Sequence, residues 1–379
     1  MKNNFNGLFV INSLEGGGAE KVFASLMSLI EEDKGKEYDF DVVILDELPE
    51  VYSLPESITI HRLGNRFGRV GQFIKFLIIV KKVKPTFVVS FLFRSNHFNA
   101  IAGCIFKYRC IISERSNTNG RIIGRFKSLK KLLVKTIFDK SDAIVCVSEG
   151  VGECLITDYS ISPSKIKLLN NPYNDVELIA LSKLSNEDYS AKKYIVAVGR
   201  LVKTKGFDDL IIAFSKANIS CDLKILGQGP ELERLKEISA NNGVCDRVEF
   251  CGFQKNPYPY ISNSILFVLP SHLEGFPNAL VEAMTLSKPV IASNCTDGPK
   301  EILGLEGSID TGVAKQAKFG LIYSPGDFKA LASGLETYIN SEELLKKYAK
   351  LSRKRSKDFS REKFYSQFNL LLAAVVGGS

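Results

Sequence analysis

Leu266-Phe267-Val268-Leu269-Pro270-Ser271-His272-Leu273-Glu274-Gly275-Phe276-Pro277-Asn278-Ala279-Leu280-Val281-Glu282-Ala283-Met284 is the stretch on which the fold turns. Four consecutive apolar residues closed by proline read as a buried strand, and the loop after them carries glycine and proline. Pro277 and Asn278 then open a helical run. Strand, loop and helix in that order form the repeating unit of a parallel sheet covered by helices.

The same unit recurs along the chain. Short β-branched runs at 8–12, 42–45, 59–63, 87–91, 110–113, 143–148 and 165–169 alternate with longer helical patterns. A second series starts at 194–199 and continues at 223–227, 248–252, 266–269, 290–293 and 321–323. The expected fold class is therefore α/β, with two doubly wound, Rossmann-like domains at 1–175 and 193–355. Their boundary falls in the polar stretch 174–192, and a C-terminal helix at 356–376 is expected to pack back on the first domain. Two such domains facing a cleft bring ligands to the carboxyl ends of their strands. The length of 379 residues suits two domains of ~100–200 residues each, and 45% apolar content supplies both cores.

No run approaches the ~18 uninterrupted apolar residues of a membrane-spanning helix. The first residues lack the apolar core and cleavage site of a secretory signal, so a cytosolic protein is expected. Eight cysteines without a CxxC pair read as reduced core residues, and three histidines, none near a cysteine pair, argue against a structural zinc. The 50 basic and 42 acidic residues leave a net charge of +8. The excess concentrates in 120–140, where Arg121, Arg125, Lys127, Lys130, Lys131, Lys135 and Lys140 meet Asp139 alone.

Glu274 falls in the loop of the opening stretch and Glu282 on its helix, so the two carboxylates can grip separate hydroxyls of one polyol ligand. Solvent-facing glutamates are the alternative, but an idle acid among Ala279, Leu280, Val281, Ala283 and Met284 would be costly. Val198-Gly199-Arg200-Leu201-Val202-Lys203-Thr204-Lys205-Gly206 follows the first strand of the second series, which lets Arg200 and Lys205 converge on one phosphate pair. Solvated surface lysines are the other reading. Gly227-Gln228-Gly229-Pro230 repeats the strand, glycine loop and helix, and offers amides to a nucleotide base or sugar. Gly16-Gly17-Gly18 lets backbone approach an anion at a helix start, or simply makes a tight turn. It is no dinucleotide fingerprint, because Lys21 stands where that motif needs glycine.

In this order and spacing, these features resemble the retaining glycosyltransferases of family four, which have the GT-B fold and include bacterial polysaccharide and O-antigen enzymes. The resemblance covers nearly the whole chain. It is carried by the Glu-x7-Glu spacing of Glu274 and Glu282, by the block 198–206, and by Cys295-Thr296-Asp297-Gly298-Pro299-Lys300-Glu301-Ile302-Leu303. It implies that Arg200 and Lys205 hold the nucleotide diphosphate, that Glu274 contacts the donor sugar, and that Glu282 contacts the ribose. The implied donor set also takes in Gly17, Gly18, Gly227, Gly229, Phe276, Pro277, Asn278 and Ala279. His97, in 93–99, takes the approximate place of a histidine near the donor sugar and joins Glu274, Arg200 and Lys205 as the catalytic group. A polar residue at a helix start is its other reading. Glu114 and Arg115 end another strand and are candidate acceptor contacts. Where the family often has glycine before the next strand's proline, this chain has Ser287-Lys288-Pro289, a departure expected to be harmless.

Breaking the bond from the anomeric carbon to the diphosphate leaves negative charge, which two cations and helix-start amides can stabilise without a metal. Losing one such group is expected to cost about 2.7–4 kcal/mol. No metal or other cofactor is expected. Asp39-Phe40-Asp41 has the pattern that metal-dependent sugar transferases place at a strand's end, but here it reads as a turn before a strand.

On a wheel of about 100° per residue, Ile122, Phe126, Leu129, Leu133 and Ile137 form one stripe, with the basic residues of 120–140 opposite. Such a helix suits an anionic membrane surface or a lipid-pyrophosphate acceptor, with Lys127 and Lys131 as acceptor contacts; a solvated face is the alternative. No nucleic acid partner is expected, since no base-reading motif accompanies the charge. The expected activity moves a hexose or N-acetylhexosamine from a nucleotide diphosphate sugar, with UDP the expected nucleotide, to a lipid-linked glycan in bacterial polysaccharide assembly. The expected location is the cytoplasm, peripherally on the inner face of the membrane. A nucleotide-sugar epimerase of the same fold and a non-catalytic nucleotide-sugar-binding protein are the rivals. Transfer that depends on an acceptor argues against the first, and turnover of any kind against the second.

Overall fold

The computed structural model describes residues 5–36, 38–66, 68–115, 127–184, 192–295 and 298–377. The chain divides into two units, Met1–Pro172 with Arg361–Ser379, and Tyr173–Ser360.

In the first unit, β1 (Phe5–Ile11), β2 (Tyr38–Ile44), β3 (Thr59–Arg62), β4 (Phe87–Phe91), β5 (Arg109–Glu114), β6 (Ala143–Cys146) and β7 (Ile166–Leu168) form a sheet of order β3-β2-β1-β4-β5-β6-β7. All neighbouring pairs are parallel. The crossovers are α1 (Gly18–Glu32), α2 (Gly68–Val83), α3 (Phe93–Phe106), α4 (Lys127–Phe138) and α5 (Glu149–Tyr159). Right-handed connections place α2 to α5 on one face of the sheet and α1 on the other. The order of the strands reverses between β1 and β4, the topological switch point.

The second unit begins with α6 (Asp175–Ser182). Its strands β8 (Tyr194–Val198), β9 (Asp222–Leu226), β10 (Val248–Gly252), β11 (Leu266–Leu269), β12 (Val290–Ser293), β13 (Lys315–Gln316) and β14 (Leu321–Tyr323) take the order β10-β9-β8-β11-β12-β14-β13. Among the described residues of this sheet, only the β13–β14 pair is antiparallel. The helices are α7 (Phe207–Lys216), α8 (Leu232–Asn241), α9 (Tyr258–Asn263), α10 (Asn278–Thr285), α11 (Pro299–Leu303), α12 (Phe328–Ile339) and α13 (Glu342–Ser356). The switch point here lies between β8 and β11. The chain then returns to the first unit as α14 (Arg361–Val376), which buries Phe364, Phe368, Leu372 and Val376 at helical spacing against the cluster of Phe9 and Phe23.

Several expectations need correction. The stretch 174–192 is not all linker, because Asp175–Ser182 is helical and packs on α9 and α10. Its polar start is a capping signature: the Asn174 side chain accepts from the Glu177 N–H, Asp175 and Glu177 occupy the first turn, and Leu178 is buried. The boundaries therefore fall at Pro172/Tyr173 and Ser360/Arg361, not at 175, 193 and 356. Asp39-Phe40-Asp41 is no turn but part of β2, where Asp41 pairs with His61 of β3 at 2.8 Å. In α4 the buried face is Val134, Ile137 and Phe138, while Leu133 is turned outward. The rest of the expected stripe, Ile122, Phe126 and Leu129, lies outside the described side chains, as do Arg121 and Arg125.

Candidate active site

In each unit several of the candidate residues follow the two strands that flank the switch point. Gly17 and Gly18 follow β1 and His97 follows β4, while Arg200 and Lys205 follow β8 and Glu274 follows β11. Ligand sites of open parallel sheets form where the two adjacent loops part in opposite directions.

In the second unit, Lys203–Lys205 form a 3-10 turn that Gly206 ends in the left-handed region, at φ 62°. A Cβ there would collide with the Pro270 carbonyl, so glycine lets the β8 loop close on the β11 loop. The His272 N–H donates to the Thr204 carbonyl at 2.9 Å, joining the two backbones. Lys205 Nζ donates to Glu274 Oε1 at 2.6 Å, and Ser271 Oγ donates to the same oxygen at 2.6 Å. The Glu274 side chain is only 9% exposed, whereas Lys205 retains 28%. Those two donors satisfy an oxygen that the fold has largely withdrawn from water. Arg200 stands exposed in the same loop.

Glu282 is buried in α10, and the Tyr258 hydroxyl donates to its Oε1 at 3.4 Å. At the start of that helix, Asn278 Oδ1 accepts from the Tyr173 hydroxyl at 2.8 Å. Phe276 is buried edge-on against Phe359, with ring centroids 5.6 Å apart. Pro277 caps α10 with Ala279 beside it, and Gly298 packs on the Pro277 ring at φ 92°. Asp297, of the motif 295–303, lies outside the described residues.

Gly227 and Gly229 serve a purpose the sequence does not announce. A Cβ on Gly227 would collide with the Gly199 carbonyl, and one on Gly229 with the Leu201 carbonyl. The Gly227 N–H donates to Gly252 at 2.8 Å, so that amide is not offered to a nucleotide. The pair presses the β9 loop against the Arg200 loop.

In the first unit, Gly17 is the extended N-cap of α1, and the Glu20 carboxylate folds back over it. That acid already stands near the positive end of the helix. Across the switch point, Asn12 Oδ1 accepts from the Ser95 N–H at 3.1 Å and from Ser95 Oγ at 2.7 Å. His97 Nδ1 donates to the Phe93 carbonyl at 2.6 Å, its ring 4.1 Å from that of Phe93. Burial pulls its pKa below the usual histidine value. The ring is therefore neutral near pH 7, with Nε2 left as an acceptor. Glu114 is buried at the end of β5. Arg115 lies over the Phe91 ring at 4.9 Å and donates to Asn171 Oδ1 at 2.6 Å. Lys131 turns toward α5, 3.7 Å from Asp158 and 5.2 Å above the Tyr159 ring. The Lys127 side chain lies outside the described residues.

Asp208, Asp209 and His272 bring potential metal-ligand atoms within 4.8 Å of one another. Arg234 pairs with Asp208 at 2.9 Å, and His272 Nε2 stands 3.0 Å from Asp209 Oδ2. Burial raises the Asp209 pKa, an effect that His272 opposes and Asp208 reinforces. The contacts join the loop that carries Glu274 to the first turn of α7 and to Arg234 of α8.

Residues 182–355 match the family described as Glycosyl transferases group 1. The N-acetylgalactosamine-N,N'-diacetylbacillosaminyl-diphospho-undecaprenol 4-alpha-N-acetylgalactosaminyltransferase of Campylobacter jejuni is 28% identical over 371 residues, which is 94% of this chain and 96% of that protein. Residues 182–355 thus carry a group 1 glycosyltransferase domain, and the protein is a glycosyltransferase. The capsular polysaccharide biosynthesis glycosyltransferase CapM of Staphylococcus aureus is 27% identical, over 90% of this chain and 88% of its own. The crystal structure of Anabaena HepE in complex with UDP has the same fold, with a TM-score of 0.80 at 17% identity, covering 97% of this chain and 100% of that one. The glycosyltransferase therefore has the GT-B architecture. Ser271, His272, Asp209 and Tyr258 were not singled out in its sequence. Ser271 carried a faint local signal, three residues before Glu274, but Asp209 and Tyr258 reach the site only through the fold.

Proposed function

We propose that this glycosyltransferase is retaining, takes a UDP-linked hexose or N-acetylhexosamine, and extends a lipid-linked glycan in bacterial surface polysaccharide assembly, at the inner face of the membrane. The single observation that carries the reading is the pair of Lys205 and enclosed Glu274, with exposed Arg200, on the loops that flank the β8/β11 switch point. Retaining transfer breaks the bond from the anomeric carbon to the diphosphate and forms the new bond on the same face, while the acceptor hydroxyl passes its proton to the departing diphosphate. Arg200 and Lys205 offset the charge gathering on the diphosphate, and no metal is required of the site. Glu274 orients the donor sugar and Glu282 the ribose. His97 presents Nε2 as an acceptor to a sugar hydroxyl, and Glu114 and Arg115 contact the acceptor. The lipid-linked acceptor is supported by the Campylobacter jejuni relative, whose name contains a diphospho-undecaprenol. The nucleotide is supported by HepE, solved with UDP.

Calorimetric titration of UDP, GDP and ADP in excess EDTA tests this reading. Binding of UDP alone, without metal, is the expected result. Absence of binding by folded protein refutes the phosphate site, and preference for another nucleotide refutes the donor.

A further inference from the structure

The helices α2, α3 and α4 form one layer over the first unit's sheet, α2 packing on α3 and α3 on α4. Their sequences contain no aspartate or glutamate at all. The neighbouring α1 and α5 do contain acids, among them Glu31, Glu32, Glu149 and Glu153. An acid-free run of three helices is not what a merely solvated surface needs, since mixed charge serves solubility better.

The outward surface of the same layer is apolar. On α2, Val70, Ile74 and Ile78 recur every four residues, and Ile101 and Ile105 do so on α3; all are 43% to 74% exposed. Leu132 and Leu133 of α4 are similarly exposed. Exposed lysines rim these residues at the helix ends: Lys81 and Lys82 in the last turn of α2, Lys84 just after it, and Lys107 after α3. Aliphatic residues standing out of a basic, acid-free surface match the two layers of an anionic bilayer, headgroups outside and acyl chains beneath. A protein partner would have to be acidic all round an apolar centre, a narrower requirement.

We infer that the outer surface of α2, α3 and α4 docks flat on an anionic membrane, with Val70, Ile74 and Ile78 entering the acyl boundary and the lysines binding headgroups. Each exposed side chain contributes by leaving water, and each lysine by neutralising lipid charge. The inference rests on the lipid-linked acceptor of the proposed function, and it moves the contact from the basic stretch 120–140 alone to a whole helical layer. No helix of the described residues is long and apolar enough to cross a membrane.

The test is sedimentation of the full chain with vesicles of phosphatidylcholine containing phosphatidylglycerol, and with phosphatidylcholine alone. Wild type is expected to bind the anionic vesicles, and the I74E/I78E double variant to bind at least tenfold more weakly. L370E, which charges an exposed residue of α14 across the sheet, serves as the control and is expected to bind like wild type. Unchanged vesicle binding by I74E/I78E, or an equal loss in L370E, overturns the inference. So does a wild-type dimer in vesicle-free solution that I74E/I78E dissolves, since the face is then a subunit interface. UDP titration of each variant shows that it is folded and keeps the two readings apart: a wild type that binds vesicles but no nucleotide sinks the proposed function and leaves the docking face standing.

Discussion

At the residue scale the site is a matter of which charges are held and which are left accessible. Glu274 has two donors at 2.6 Å and little exposure, so its position is set before any ligand arrives. Lys205 is partly exposed and Arg200 exposed, so both can meet a diphosphate at modest desolvation cost. Lys205→Ala is therefore expected to lower turnover by about 100- to 1000-fold, the usual consequence of losing one group that stabilises transition-state charge. Steady-state transfer assays and a thermal melt check this together. Near-normal turnover in folded protein would show that Lys205 serves only to hold Glu274, a role Ser271 can share.

At the element scale, α10 closes with a six-to-one bond from the Lys288 N–H to the Ala283 carbonyl and a second from the Ser287 N–H to Met284, both at 3.0 Å. This Schellman pattern requires a left-handed residue at Ser287, and its φ is 60°. A serine there carries a strain that glycine lacks, against which stands glycine's greater loss of chain entropy. Ser287→Gly is thus expected to raise stability by up to about 1 kcal/mol, read as a higher urea midpoint with unchanged slope. A lower midpoint would mean that the strain is relieved elsewhere in the loop. The element scale also explains the misread linker: a polar run that ends a strand and caps a helix has the composition of a loop, and only packing of Leu178 distinguishes them.

At the scale of the whole molecule, the first unit is assembled from both ends of the chain. Phe368 lies 6.2 Å from Phe9, and Arg361 pairs with Glu32 at 2.6 Å, so α14 completes a core begun more than three hundred residues earlier. Phe368→Ala should destabilise the first unit by about 3–5 kcal/mol, as loss of a buried aromatic generally does. Hydrogen exchange is expected to accelerate in peptides of β1 and α1 while those of β8 and α7 keep their protection. Uniform acceleration in both units would show that they unfold as one.

The sequence by itself determined the class of fold and the place of the principal charged groups. Apolar runs of strand length alternating with helical runs admit few arrangements other than two parallel sheets, and Arg200, Lys205, Glu274 and Glu282 sit within thirteen residues of a strand end. Local patterns were enough because each of these residues is fixed by its own βα unit. Tertiary structure alone decided what joins those units. Gly206 and Gly227 are explained by carbonyls of other loops, and His272 and Asp209 meet across sixty-three positions. The outward apolar layer was equally hidden, since hydrophobic spacing shows that a helix has an apolar face but not whether the protein covers it.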